Sequence, residues 1–264
     1  MGRTLVDPKI AVIIQARVGA TRLPGKVLAE VAGRPMLAHV VERAMDIPHV
    51  TEVIIASTTN PADEAIVTWA RQAVIPYVRG SEEDVLDRVR LAAHERAVDV
   101  IVRVTADCPL LDPEVSGLVV REYLERGGTV DYVSNVHPPT YPDGLDTEVF
   151  SRQALEAAWR DARLPSDREH VTTYIWRHPE RFRLANVSHE EDLSAHRWTV
   201  DTDMDLAFVR AVFKTAGGNQ RPRLREVIGL LGRHPEIQDL NAGQQRNEGL
   251  MRSLAGDRMA DGRS

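Results

Sequence analysis

The chain has a single cysteine, Cys108, in 264 residues. That excludes an internal disulfide and any zinc site built from several cysteines. The nine histidines form no H-E-x-x-H or Cys/His spacing, so zinc catalysis has no support. No run approaches the roughly 18 consecutive apolar residues of a membrane span. The N-terminus MGRTLVDPKIAV lacks the apolar core and small-residue cleavage site of an export signal. The expectation is a cytoplasmic protein with no membrane association. Positive charge is also in deficit: 33 Lys and Arg against 39 Asp and Glu give a net charge of −6. That sign disfavours a general nucleic-acid binder. Lysine is scarcest of all, with only Lys9, Lys26 and Lys214 among the 33 basic residues. A lysine inside a motif is therefore more informative than usual.

What is present is a regular alternation of strand and helix patterns. Residues 10–16 (IAVIIQA) read as a strand covered on both faces, 52–57 as a second buried strand, and 76–79 and 99–105 (DVIVRVT) as a short third and a fourth strand. Between them lie helix patterns opening at Pro35, at Pro61 with Asn60 as cap, and at Ser81 in the cap pattern S-x-x-D; another helix spans about 113–126. This order predicts an α/β fold with a mostly parallel, doubly wound sheet. From Asp131 the pattern changes. DYVSN, LDTEVFS, RFRLANVS and RWTVDT read as strands, and residues 152–162, 168–177, 203–215 and 224–231 as helices. The expected unit is one domain over 1–240, with a mixed sheet and an inserted arm at about 131–196. The polar, Gly-rich tail 241–264 is expected to be disordered.

The segment after the first strand, QARVGATRLPGK (15–26), carries Arg17, Arg22 and Lys26 with two glycines. Ligands of open α/β sheets sit beyond the carboxyl ends of strands. Three cations in ten residues there call for an anion, and a triphosphate is a natural one. The loop is not a Walker motif: five residues separate Gly19 from Gly25, and Val27 stands where Ser or Thr would hold a metal. Asp107 follows the fourth strand and faces the same crevice. Asp201 follows RWTV, with Asp203 and Asp205 behind it. Read structurally, Asp107 ends a strand before Pro109, and the late aspartates cap a helix. Read chemically, Asp107 and Asp201 are hard oxygen ligands for Mg²⁺, which takes one or two carboxylates and completes its octahedron with phosphate and water. Asp205 belongs to the helix end. Cys108 reads as a small buried residue, not a nucleophile.

IIQARVGATRLPGK, RVTADCPLLDP and RWTVDTDMDL together resemble the motifs of the CMP-sugar synthetases, most of all the spore-coat polysaccharide biosynthesis branch. That family includes sialic-acid, 3-deoxy-manno-octulosonate and pseudaminic-acid cytidylyltransferases. The resemblance covers about residues 10–212. It implies a Rossmann-like nucleotide-diphospho-sugar transferase fold and Mg²⁺-dependent transfer from CTP to a small acidic acceptor, giving a CMP-sugar and pyrophosphate. It further implies a homodimer joined through the arm. In its terms Arg17, Lys26, Asp107 and Asp201 are the catalytic set, with Asp107 and Asp201 on metal. Gln15, Ala16, Gly19, Thr21 and Arg22 join them around the nucleotide, and Arg79, Gly80 and Ser81 lie beside the base. Ala20 departs from the more usual Ser. Ser81 serves equally as a helix cap, and Asp84, Asp87 and Arg88 read as helix-face ion pairs. The motifs YPDGLDTEVF and SDREH supply Tyr141, Asp146, Glu148, Arg168 and His170 as acceptor residues. Arg168 would suit a carboxylate, and His170 would orient or deprotonate a hydroxyl.

Two rivals remain open at this point. A metal-dependent glycosyltransferase of similar fold would use D-x-D, which residues 201–203 spell. A non-catalytic nucleotide-binding or scaffold relative is the other.

Overall fold

The computed structural model describes residues 7–217 and 221–260. β1 (Ile10–Gln15) is covered on both sides. Ile10, Val12 and Ile14 enter one core, Ala11 and Ile13 the other, as the two-residue period of a strand requires. A small hairpin, β2 (Glu30–Val31) with β3 (Arg34–Pro35), leads into α1 (Met36–Met45). The alternation then runs as the sequence predicts: β4 (Glu52–Thr58), α2 (Glu64–Gln72), β5 (Tyr77–Gly80), α3 (Val85–Glu95), β6 (Val100–Thr105), α4 (Pro113–Glu125). Asn60 caps the short 3-10 turn before α2, accepting from the Ala62 amide at 3.0 Å. The cap of α3 is Asp84, not Ser81: Asp84 Oδ1 accepts from the Asp87 amide at 2.9 Å. Ser81 Oγ accepts from the Asp84 amide instead, closing a separate turn before the helix.

The second half holds β7 (Tyr132–Ser134), β8 (Glu148–Ser151), α5 (Arg152–Asp161), α6 (Pro165–His170), α7 (Thr173–Arg177) and β9 (Leu184–Asn186). The single helix expected over 168–177 is broken at Val171, whose φ of +64° turns the chain. α8 (Asp203–Thr215), α9 (Leu224–Arg233), α10 (Pro235–Gln238) and α11 (Glu248–Ala260) follow. RWTVDT is not a ladder strand; apart from one bridge, Asp143 to Arg197, it is an unpaired extended segment. Gly144 crosses it closely, with φ +106° and room for no side chain. A Cβ there would lie 2.7 Å from the Thr199 nitrogen.

The main sheet runs β5-β4-β1-β6-β8-β7-β9, and only β8 opposes its neighbours. It is thus a mixed, mostly parallel α/β sheet with helices on both faces. One core includes residues of α1, α2 and α4, and the other residues of α3, α5 and α7. A third core joins the hairpin to α8 and α9. Strand order reverses at β1, so the ligand crevice opens beyond the carboxyl ends of β1 and β6. The tail differs most from expectation. Residues 248–260, expected as disordered, form α11, which packs on α6 beside that crevice; residues 261–264 lie outside the described residues. Among the described residues no helix is long and apolar enough to cross a membrane.

Candidate active site

Asp63 anchors the loop after β1. It is 2% exposed and accepts from the Val18 amide at 2.6 Å and from the Thr58 hydroxyl. The loop closes at Gly25, whose φ of +76° starts the 3-10 turn carrying Lys26. Lys26 is 9% exposed. Its ammonium donates to Asp107 Oδ2 at 2.7 Å, Asp201 Oδ1 at 2.8 Å and the Val200 carbonyl at 2.8 Å. All three of its donors are used. Burial works to lower the Lys26 pKa, but the two carboxylates outweigh it and hold it above the ordinary value. Burial likewise works to raise Asp107; Lys26 and the Thr105 hydroxyl, at 2.5 Å, bring it down to about 2.

Asp201 leads into α8, whose N-cap is Thr202. Asp205 closes a capping box there, accepting from the amides of Asp201 and Thr202 at 3.0 Å each. Asp205 is therefore a helix-end residue, as expected. The second oxygen of Asp201 receives Arg22 at 3.0 Å and Arg197 at 2.9 Å. Arg197 also binds Asp143 at 3.0 Å and Asp205 at 2.9 Å, and its pKa rises because these carboxylates overcome its burial.

Two cavities meet at this cluster. The first, about 460 Å³, is lined by Gln15, Ala16, Arg17, Thr21, Arg22, Lys26, Arg88, Asp107, His170 and Asp201, among others. The second, about 340 Å³, shares Gln15, Arg22, Asp107, His170 and Asp201 and adds Arg103, Asp143, Asp146, Glu148 and Arg197. Glu148 is 5% exposed and accepts from Arg103, from the Tyr132 hydroxyl at 2.5 Å and from the Thr172 hydroxyl at 2.6 Å. Burial opposes its ionisation, yet these donors keep its pKa below the usual value. Burial lowers His170, with Glu169 partly opposing. Its Nε2 lies 3.0 Å from Ser253 Oγ. Burial pushes the Cys108 thiol well up, so it is no nucleophile.

Several expected site residues line neither cavity. Arg79 donates to the Thr58 carbonyl at 2.7 Å and pairs with Glu64 at 2.7 Å, bracing the end of β4. Gly80 lies under α3, where a Cβ would meet Arg88 at 3.1 Å, and Ser81 makes the turn already described. Gly19 faces Glu82, 3.3 Å from a built Cβ. Tyr141 is 3% exposed in the third core. Arg168, expected to suit an acceptor carboxylate, is bound to Asp84 at 3.0 Å and to the Trp159 carbonyl at 2.9 Å. Asp203 is exposed on the first turn of α8, so only one aspartate of the D-x-D reaches the crevice.

Two other residues of the site read differently from the sequence: Arg197 is not singled out there, and Arg88, expected among helix-face ion pairs, makes none among the described residues. Arg88 is 2% exposed on the buried face of α3, and among the described residues its only polar partner is the Ser81 carbonyl, at 2.6 Å. Burial first, and Arg17 second, pull it to about 10. Its signal was present: Arg88 falls on the stripe of Val85, Val89 and Ala92, where a charge needs a reason. Arg197, Thr199 and Asp201 share one side of an extended segment by their spacing, which also pointed to Arg197.

Converging phosphate-sized cations, two carboxylates on the wall between two cavities, and a doubly wound sheet define a nucleotidyltransferase. The chain matches the cytidylyltransferase family over residues 11–215 and belongs to it. A cytidylyltransferase structure from Leptospira borgpetersenii superposes with a TM-score of 0.85 at 29% identity, covering 91% of this chain and all of that one. A spore coat polysaccharide biosynthesis protein of Bacillus subtilis is 32% identical, covering 86% of this chain and 95% of its own. A 3-deoxy-manno-octulosonate cytidylyltransferase of Geobacter metallireducens is 30% identical, covering 85% and 98%. The relatives therefore span both groups and do not single out the spore-coat branch. The chain is an enzyme of nucleotidyl transfer.

Proposed function

We propose that the enzyme transfers CMP from CTP to a hydroxyl of a small sugar acid, with Mg²⁺, releasing pyrophosphate. The observation that carries this reading is the Asp107–Lys26–Asp201 cluster on the wall shared by the two cavities. A nucleotide in the first cavity brings its α-phosphate to that wall, and an acceptor in the second brings its hydroxyl to the other side. Arg17, Arg22 and Lys26 hold the phosphates, and Arg88 adds a fourth cation. Asp107 and Asp201 suit Mg²⁺: both are hard oxygen donors that already flank one cation, Lys26. Among the described residues no three metal-ligating side chains converge, which fits a metal arriving with the triphosphate. Held by Asp107 and Asp201, a metal would supply charge neutralisation for the transferring and departing phosphates. The residues of the chain position and orient, with no covalent enzyme intermediate. Asp146 and Glu148 accept from acceptor hydroxyls. His170, kept neutral by burial, takes the attacking hydroxyl's proton. A sugar acid is the acceptor class by analogy with the octulosonate-named relatives.

The test is pyrophosphate release on mixing CTP, Mg²⁺ and a panel of sugar acids, beside a thermal-shift series of nucleotides. A ligand at 100 times its Kd adds about 2.7 kcal/mol. Asp107→Asn is expected to stay folded and lose turnover. Substantial retained turnover would sink the metal assignment, and release of nucleoside diphosphate from a diphosphate sugar would replace the reading with a glycosyltransferase.

A further inference from the structure

The C-terminal segment crosses the mouth of both cavities, and its side chains take up groups that the proposed reaction needs. Glu248 pairs with Arg22, one of the phosphate cations. Arg246 donates to Asp146 at 2.6 Å in the acceptor cavity. Ser253 donates to Glu169 at 2.6 Å and lies 3.0 Å from His170 Nε2. Gly249 borders both cavities.

The two ends of this segment are fixed in a different way from its middle. Asn241 is 5% exposed and donates to the Arg197 carbonyl at 2.9 Å and to Asp205 at 3.1 Å. Asp257 is also 5% exposed and accepts from the amide of Ser166 at 3.2 Å and from its hydroxyl. Between these buried anchors the polar contacts are partly solvated. The Arg22 and Glu248 side chains are 30% and 43% exposed. An ion pair of that kind is weak and exchangeable, whereas a buried hydrogen bond to a charged group is not. A triphosphate offers Arg22 far more negative charge than one carboxylate does.

We infer that residues 246–253 are a tethered strap that competes with the nucleotide, Glu248 standing on Arg22 where a phosphate of the substrate goes. The inference rests on the nucleotide reading and adds its regulation. Binding of the triphosphate expels Glu248 from Arg22, and residues 246–253, which include the first turns of α11, unwind from the crevice while Asn241 and Asp257 stay anchored. The unliganded enzyme is thereby held in a self-neutralised, closed state, and the apparent affinity is reduced by the fraction of molecules that are open.

The experiment is calorimetric titration of Mg²⁺·CTP into the full-length chain and its Glu248→Gln variant, with trypsin digestion of each at rest and saturated. Glu248→Gln is expected to bind up to about fivefold tighter, the equivalent of one exposed ion pair. Adding Ser253→Ala tightens binding further, and Glu248→Asp restores the wild-type value. Ligand is expected to speed cleavage after Arg246 and Arg252 in the wild-type chain. Unchanged or weaker binding by Glu248→Gln overturns the strap, and so does ligand protection of Arg246 and Arg252, which would make the segment a lid closing over substrate. Absence of Mg²⁺·CTP binding in both chains would instead defeat the nucleotide reading itself.

Discussion

Replacing Lys26 with Met tests whether one ammonium holds Asp107 and Asp201, the carboxylates proposed for the metal, in place before any metal arrives. The substitution keeps an unbranched side chain of similar length and removes three hydrogen bonds, to Asp107, Asp201 and the Val200 carbonyl. Asp201 keeps Arg22 and Arg197, but Asp107 keeps only neutral partners. Its carboxyl, 23% exposed, stands at about 2 instead of 3.8. Losing that shift costs about 2 kcal/mol at neutral pH. The sign is that of a depressed carboxylate: the contribution is complete above about pH 4 and fades as pH falls towards 2, so pH 7.5 reads all of it. For a chain of this size the expected fall in Tm is about 4 °C. With the ammonium gone Asp107 faces Asp201 with no cation of its own, and Asp201 keeps Arg22 and Arg197 on its other oxygen. Magnesium chloride alone is then expected to restore much of the lost Tm in Lys26→Met, while leaving the wild-type enzyme unmoved until CTP is added. Turnover falls by roughly 10²–10³, as for other lost electrostatic groups. A Tm within about 1 °C of wild type, or a wild-type chain that magnesium alone stabilises equally, would refute the reasoning.

Arg88→Met removes a buried cation that has no carboxylate partner among the described residues, so unfolding stability should hold within about 1 kcal/mol or rise, while the Kd for Mg²⁺·CTP rises at least about tenfold; unchanged binding with a large stability loss would make Arg88 purely structural. The Asp143 carboxyl is pushed up to about 7, first by burial and then by Asp146. The native state therefore holds a proton that the unfolded chain releases near pH 4, and stability falls as pH rises from about 4 to 7, by at most about 1.4 kcal/mol per pH unit from this group. Urea unfolding of Asp143→Asn should show a flatter profile across that window, and an identical slope would count against the assignment.

The parallel half of the sheet was readable because β1, β4 and β6 are buried on both faces and so are written as short apolar runs. The loop of cations and the two aspartates were readable because strand ends place ligands. The misses have three physical origins. Cap patterns overlap at Ser81 and Asp84, and the chemistry of S-x-x-D is the same whether the residue caps the helix or the turn before it. RWTVDT alternates like a strand because an extended chain presents alternate sides whether or not a neighbour pairs with it. The tail looked disordered because it is polar and Gly-rich, with no apolar stripe to bury. Arg246 and Glu248 find their partners 100 and 226 residues away, a distance over which composition carries no pairing information.

These pairings change what binding means at this site. Both carboxylates proposed for the metal are already engaged: Asp107 by Thr105 and Lys26, Asp201 by Lys26, Arg22 and Arg197. Arg22 is likewise held by Glu248. A ligand that entered with one charge would have to break these contacts and could replace only some of them. A triphosphate with its metal brings both signs at once: phosphates for Lys26 and Arg22, and a divalent cation for the oxygens they release. Exchange of partners then costs little, because each broken ion pair is replaced by another in the same low-dielectric wall. Neither metal alone nor a nucleoside alone can complete the exchange, so the two should bind with mutual dependence. Arg88 is the exception. Among the described residues it has no carboxylate to exchange, so a phosphate reaching it adds charge neutralisation without breaking an ion pair.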